Sequence, residues 1–491
     1  MGVWAVIKNG ISIPRKAIPI FSMADLAQDI AAHVKDGLRP VHFFGHPTHE
    51  NKYEIIAVLA DDTSNTLMAA SALAGSAMTY DSITPHAPAL HLFERELHEQ
   101  TGIIPAGHPW LKPVRDTGPG ASQALYSSLG RDTHEVAVGP VHAGIIEPGH
   151  FRFVCHGEEI YHLEIQLGYQ HRGIEPLFKE GNPMLKATLA ESIAGDSAIA
   201  HAWAYAAAAE ALCGSELSPK AEILRAIALE LERIAMHLVG LGGVSLDIGF
   251  LPGASSYGRI RTAVINTTLM LSGCRFGRGY IRPGGVLADI GVNLRQHIMD
   301  MTAEIARDLE IVNQCLFNNP GVLSRLEYTG RISTDLAWKT GLVGIIAKSA
   351  GLPIDVRADQ PYGIYKHDRI DPITLNSGDV YARVKLRALE ITQSIELIRG
   401  WLSFGLMTGD IYTAPPLLGP DRFAVTLIEG WRGEVSHAVL TGGNSEVDHY
   451  KVVDASFHNW FGLALAVRRG GISDFPVCNK SFDASYAGHD L

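Results

Sequence analysis

Residues 219–240 read PKAEILRAIALELERIAMHLVG, and this stretch sets the architecture of most of the chain. At 100° per residue, Leu231, Ile234, Leu238 and Leu241 form an apolar stripe, so the stretch predicts an amphipathic helix with one buried side. Glu230, Arg233 and His237 share a face that overlaps this stripe, while Glu232 points the other way. Comparable helical patterns cover 184–212, 260–276, 291–316, 335–350 and 379–404. Residues 136–491 therefore read as a largely α-helical bundle. It has a β start, a hairpin of 151–154 and 159–167 joined at His156-Gly157, and more strand near 423–440.

Working outward, residues 1–111 read as a small α+β domain. Ser22 caps a helix over 23–34, the runs 41–44 and 53–59 are short, apolar and strand-like, and Asp61-Asp62 makes a turn. Helices are predicted over 67–78 and 93–100. Residues 112–135 contain Pro113, Gly118, Pro119 and Gly120 among small polar residues and read as a flexible linker between separately folded parts. The fold class is α+β: a small N-terminal domain followed by a mainly helical domain.

A net charge of −11 argues against a nucleic-acid binder, which needs a basic stripe. The five cysteines are Cys155, Cys213, Cys274, Cys315 and Cys478; none forms a CxxC pair, so a locally built iron–sulfur or zinc site is not expected. Wide spacing and an odd count suit reduced thiols in a reducing compartment. No secretory signal is evident, and no apolar run approaches the ~20 residues needed to span a bilayer. His86, His91, His98 and His108 match no zinc spacing, and the Gly284-Gly285 and Gly442-Gly443 pairs form no nucleotide loop.

Charges beside a buried stripe must be paired, because an unpaired buried charge costs several kcal/mol. Two readings of Glu230, Arg233 and His237 follow: an ion-pair network tying helices together, or a proton or charge relay beside a redox site. A partner for Glu230 is expected on a neighbouring helix, with Arg275 and Arg282 as candidates. Along 184–212, Glu191, His201 and Tyr205 share a broad face, with Asp196 nearby. They are either satisfied polar groups of a packed helix or the lining of a cavity.

Phe93-Glu94-Arg95-Glu96, Gly102-Ile103 and Gly107-His108-Pro109 resemble the signature of the 30 kDa subunit of respiratory complex I. The remainder resembles the 49 kDa subunit and the large subunits of group 4 nickel–iron hydrogenases, in a fused arrangement similar to formate hydrogenlyase. The matching pieces are Gly139-Pro140-Val141-His142, the run from Gly168 to Glu175, Glu230-Leu231-Glu232-Arg233-Ile234, Arg282-Pro283-Gly284-Gly285-Val286 and Arg432-Gly433-Glu434.

The hydrogenase pattern Glu-Arg-Val-Cys-Gly-x-Cys-Gly-x-x-His falls without gaps on Glu191 to His201, where Ala194 and Ser197 replace the thiolates. The second pair, Asp-Pro-Cys-x-x-Cys, is sought around Asp474 to Ser481, which offers only Cys478. A centre that needs four thiolates is therefore not expected. The resemblance also places Ile146 and Gly195 where complex I has its quinone-facing histidine and tyrosine.

These observations imply the large subunit of a membrane-associated NADH:quinone oxidoreductase- or hydrogenase-like complex that couples electron transfer to ion translocation. The alternative is a structural subunit that docks an iron–sulfur partner onto ion-pumping membrane subunits. Candidate cavity residues are Glu191, Asp196, His201 and Arg432, with His142 on the quinone side. The chain binds no cofactor through its own cysteines; a quinone acceptor is compatible, with electrons from an iron–sulfur partner. The resemblance implies three kinds of partner: an iron–sulfur small subunit similar to the complex I 20 kDa subunit, a ferredoxin-like subunit and antiporter-like membrane subunits. It implies a cytoplasmic position on the inner face of the membrane.

Overall fold

The computed structural model describes residues 2–48, 52–115, 130, 132–142, 146–181, 186–403 and 408–491. The N-terminal sheet is built on strands Arg39–Pro47, Lys52–Asp61 and Thr66–Gly75, paired antiparallel in that order. The run 67–78, predicted helical, is thus strand. Its alanines have helical propensity, but Leu67, Ala69, Ala70 and Ala72 are buried within a full-length pairing with the neighbouring strand, and that tertiary context wins. Helix Met23–Lys35 begins as expected, with Ser22 Oγ accepting from the Asp25 amide, and His91–Thr101 forms the second helix.

The helical part packs Pro219–Asp247, Leu251–Ser272, Val292–Phe317 and Val380–Ser403 around one core. The hairpin His150–His156 and Glu159–Gln166 precedes it, joined on one edge by His134–Val138. The predicted helix 184–212 is broken. Among its described residues, Ala187–Ala190 and Ala198–Cys213 are helical and 191–197 are not. The carbonyls of Ser192 and Ile193 instead accept from Arg172 at 2.6 and 2.9 Å. The region 335–350 is likewise two short helices, Thr334–Lys339 and Gly344–Ser349. Gly344 adopts φ +59°, and a Cβ there would meet the Arg432 carbonyl oxygen at 2.1 Å.

A second sheet runs Val447–Val453, Gly433–Thr441, Arg422–Gly430 and Ser12–Pro14. Its last strand comes from the N-terminal region, so residues 1–111 do not stand apart from the rest. Buried ion pairs repeat the link: Lys451 lies 2.6 Å from Glu96, Arg39 lies 3.0 Å from Glu434, and Arg115 pairs with Glu96. Of the predicted linker, 116–129 and 131 lie outside the described residues. At its start, the Val114 and Arg115 amides donate to Glu99, which anchors the chain there. Among the described residues no helix is long and apolar enough to cross a membrane.

Candidate functional site

The break at 191–197 creates the site. Asp196 and Ser197 lie just before helix Ala198–Cys213, and the first amides of that helix, at Ile199 and Ala200, donate to Glu232 at 2.7 and 3.2 Å. Glu232 has no cation at hydrogen-bond distance among the described residues, and burial lifts its carboxyl to about 8, so it is largely protonated at neutral pH. It is buried despite facing away from Glu230.

Arg432 closes the junction. Its guanidinium holds Asp196 through two bonds of 2.6 and 2.7 Å, reaches Ser197 Oγ at 3.3 Å and donates from Nε to the Asp483 carbonyl at 2.5 Å. It also lies 3.9 Å above the Trp431 ring. Burial opposes its charge, but Asp196 outweighs burial and keeps the group cationic. Four of its five N–H donors are thus engaged, leaving one on Nη2. Asp196 keeps 39% of its side chain exposed, so the pair is accessible from outside.

His201 is fully buried and belongs to a hydrogen-bonded chain. Its Nε2 lies 3.1 Å from Asp454, its Nδ1 3.1 Å from His437 Nε2, and His437 Nδ1 lies 2.7 Å from the Tyr450 hydroxyl. Asp454 is held ionised: burial opposes this, but His201 and Arg432 outweigh it. An ionised carboxylate only accepts, so His201 donates from Nε2 to Asp454. Burial keeps His437 neutral. Of the expected site residues, Asp196 and Arg432 meet directly and His201 joins through Asp454. Glu191 turns the other way and accepts from the Gly279 amide at 2.6 Å. His142 sits apart, its ring 5.6 Å from Phe151 and 6.3 Å from Tyr486, with Nε2 buried and lacking a protein partner among the described residues.

Cys478 is not at the junction. Its thiol packs against Gly330 and lies 4.0 Å from Arg383. The segment that meets 191–201 is 483–490. Arg172 donates to Ser192, Ile193 and Ala487 carbonyls, and Asp490 accepts from the amides of Gly168 and Gln170. This segment reads Asp483-Ala484-Ser485-Tyr486-Ala487-Gly488-His489-Asp490 and lies beyond Cys478. Gly488 is crowded: a Cβ would come within 2.8 Å of the Asp454 carboxylate. Sequence reasoning missed Asp454, His437 and Glu232 because their role depends on long-range contacts.

Glu230 is buried as expected, but its partners differ. Its carboxylate accepts from Arg233 and Arg357 at 3.0 Å each, Tyr365 at 2.6 Å and Ser394 at 2.5 Å; Arg275 and Arg282 are not among them. Lys348 adds contacts to Asp355 and Glu390 at 3.1 and 2.6 Å, and Arg357 grips Asp355. Arg387 can only donate to His237 Nδ1, at 3.3 Å, so His237 donates from Nε2 to Glu390 at 2.9 Å. Arg233, Arg357 and Lys348 thereby face Glu230, Asp355 and Glu390, while burial and then Asp355 raise Glu429 to about 8.

Residues 247–416 match the family "Respiratory-chain NADH dehydrogenase, 49 Kd subunit", and residues 24–116 match its 30 Kd counterpart. The membrane-bound hydrogenase subunit alpha of Pyrococcus furiosus is 30% identical over 71% of this chain and 85% of that protein. The chain belongs to the complex I 49 kDa and membrane-bound hydrogenase large-subunit family. Within this family, formate hydrogenlyase subunit 5 of Escherichia coli is 28% identical over 84% of this chain and 77% of its own length. The carbon monoxide-induced hydrogenase of Rhodospirillum rubrum is 29% identical over 72% of this chain and 97% of its own length. A chain of the archaeal membrane-bound sulfane sulfur reductase shares the fold, with a TM-score of 0.70 at 23% identity, covering 74% of this chain and all of that one.

Proposed function

We propose that this chain is the large subunit of a membrane-associated oxidoreductase complex that couples electron transfer to ion translocation without a nickel–iron centre of its own. The observation that carries the reading is the junction of 191–201 with 483–490. We read the family's first thiolate pair onto Ala194 and Ser197 and its second, Asp-Pro-Cys-x-x-Cys, onto Asp483 to Gly488, with Ser485 and Gly488 at the thiolate positions; the Arg432 cation is lodged against Asp196. Neutral hydroxyls, an apolar methyl and an adjacent guanidinium do not fit a soft, four-thiolate site.

In this reading electrons arrive from an iron–sulfur small subunit supplied in turn by a ferredoxin-like subunit. Antiporter-like subunits move the ion, and this chain sits on the cytoplasmic face. Residues 1–111 and 136–491, joined by 112–135, are its two parts. Arg432, oriented by Asp196, keeps one N–H for an anionic or carbonyl oxygen. The buried Nε2 of His142, without a protein partner among the described residues, supports a quinone-type acceptor near it.

The test uses the purified complex. Metal analysis should find no nickel attributable to this subunit, and quinone reduction driven by a reduced ferredoxin should fall at least tenfold in Arg432→Ala. About one nickel per chain would overturn the first part; quinone reduction unaffected by Arg432→Ala would overturn the second.

A further inference from the structure

A second pocket lies away from the junction, between residues 327–331 and 466–478, and encloses about 270 Å³. Arg331, Arg468 and Arg469 line it. The lining carboxylates are Glu327 and Asp474, and Asp474 is taken by Arg325 at 3.1 Å. Among the described residues, Arg331 and Arg469 have no carboxylate within ion-pair distance. Arg468 reaches the ring of His162 at 3.5 Å, which burial and then Arg468 itself keep neutral.

Behind the wall sits a fourth cation. Arg383 is fully buried and donates to the carbonyls of Gly330 and Gly378 and to Ser481 Oγ, at 2.8–2.9 Å, all of them uncharged. Its further neighbours are Cys478, whose thiol burial pushes up to about 11 and so keeps neutral, the Phe482 ring at 4.6 Å, and the buried Asp379 carboxylate, which favours its charge and accepts from the Tyr328 amide at 2.9 Å. The loop in front turns through left-handed residues at Tyr328, φ +62°, and Gly330, φ +58°. The amides of Thr329, Gly330 and Arg331 find no protein acceptor among the described residues. Successive free amides in such a turn form a concavity suited to an anion.

We propose that this pocket binds an oxoanion of the phosphate class, gripped by Arg331, Arg468 and Arg469 with the charge of Arg383 behind it. Guanidinium groups match phosphate oxygens two at a time, and among the described residues neither Arg331 nor Arg469 is taken by a carboxylate at ion-pair distance. A free phosphate and a lipid headgroup offer the same chemistry. Tyr328, 83% exposed at the rim, would rest on the lipid side in the second case.

The purified complex is titrated with inorganic phosphate, and separately with phosphatidylcholine vesicles with and without phosphatidylglycerol, at low ionic strength. Either probe binding supports the proposal, and which one binds identifies the source. Arg331→Ala and Arg469→Ala should each weaken binding about fivefold, as expected for one arginine near an anionic surface. Both side chains are exposed, so melting temperature should not change. No binding of either probe, or binding that both variants leave intact, would overturn the proposal.

Discussion

Glu230 receives four donors on one buried carboxylate, and that geometry decides between two energetic regimes. Removing one partner of an exposed pair costs roughly 0–1 kcal/mol, whereas stranding a buried charge costs about 3–5 kcal/mol. With Arg233 and Arg357 both at most 1% exposed, Glu230→Ala belongs to the second regime, and chemical denaturation should show it. The same group sets an acid limit. Burial would raise its pKa, but Arg233 and Arg357 outweigh burial and hold it at about 2 in the fold, against 4.5 unfolded. Its contribution is therefore complete above pH 4.5 and lost as pH falls toward 2. Glu232 has the opposite sign. Its folded pKa is raised to about 8, so stability is lost as pH rises from 4.5 through 8. Glu232→Gln should flatten that decline in melting temperature measured from about pH 5 to 9; an unchanged slope would show that Glu232 does not titrate across the transition.

At the scale of elements, the helical bundle was legible because its apolar stripes repeat with the helical period over long stretches, and Ser22 announced its helix by a local bond. The 191–197 break was not legible: its cause is Arg172, some twenty residues away, claiming carbonyls that a helix would use itself. Leu67–Gly75 misled for the same reason, since alanines fit either state until a neighbouring strand pairs with them. Asp196 and Arg432 could be picked from the family pattern, but Asp454 and His437 sit on a strand end and a strand with no motif around them. Cys478 drew attention merely by being a cysteine, but the contacts of 483–490 put that later segment, not Cys478, beside the junction. That packing carries its own prediction. Because a Cβ at residue 488 would meet Asp454 at 2.8 Å, Gly488→Ala must displace the carboxylate that anchors His201. The strain should cost about 1–3 kcal/mol, and Gly488→Ala combined with Asp454→Ala should cost less than the two changes added. Full additivity in a double-mutant cycle would show that the two positions do not clash.

For the whole molecule, the question is whether residues 1–111 unfold on their own. A composition break at 112–135 suggested two independent parts, and interfaces between domains of one chain are commonly small enough for that. This one is threaded. Ser12–Pro14 supplies the edge strand beside Arg422–Gly430, and Asn9 bonds the Leu427 backbone in both directions, at 2.9 Å each way. Glu96 is buried between Lys451 and Arg115; burial opposes its charge, yet those two cations hold it at about 2. Pulling the N-terminal part away would expose a sheet edge and strip Lys451 of one of its two carboxylates, the other being Glu175 at 2.9 Å. Each part therefore stabilises the other, and their unfolding is coupled. Calorimetry of the full chain should give one transition, with van't Hoff and calorimetric enthalpies in agreement. Lys451→Met, which leaves Glu96 paired with Arg115 alone, should lower that single transition rather than split it. Two resolved transitions in the unmodified chain would mean that the strand and the ion pairs do not bind the parts into one cooperative unit.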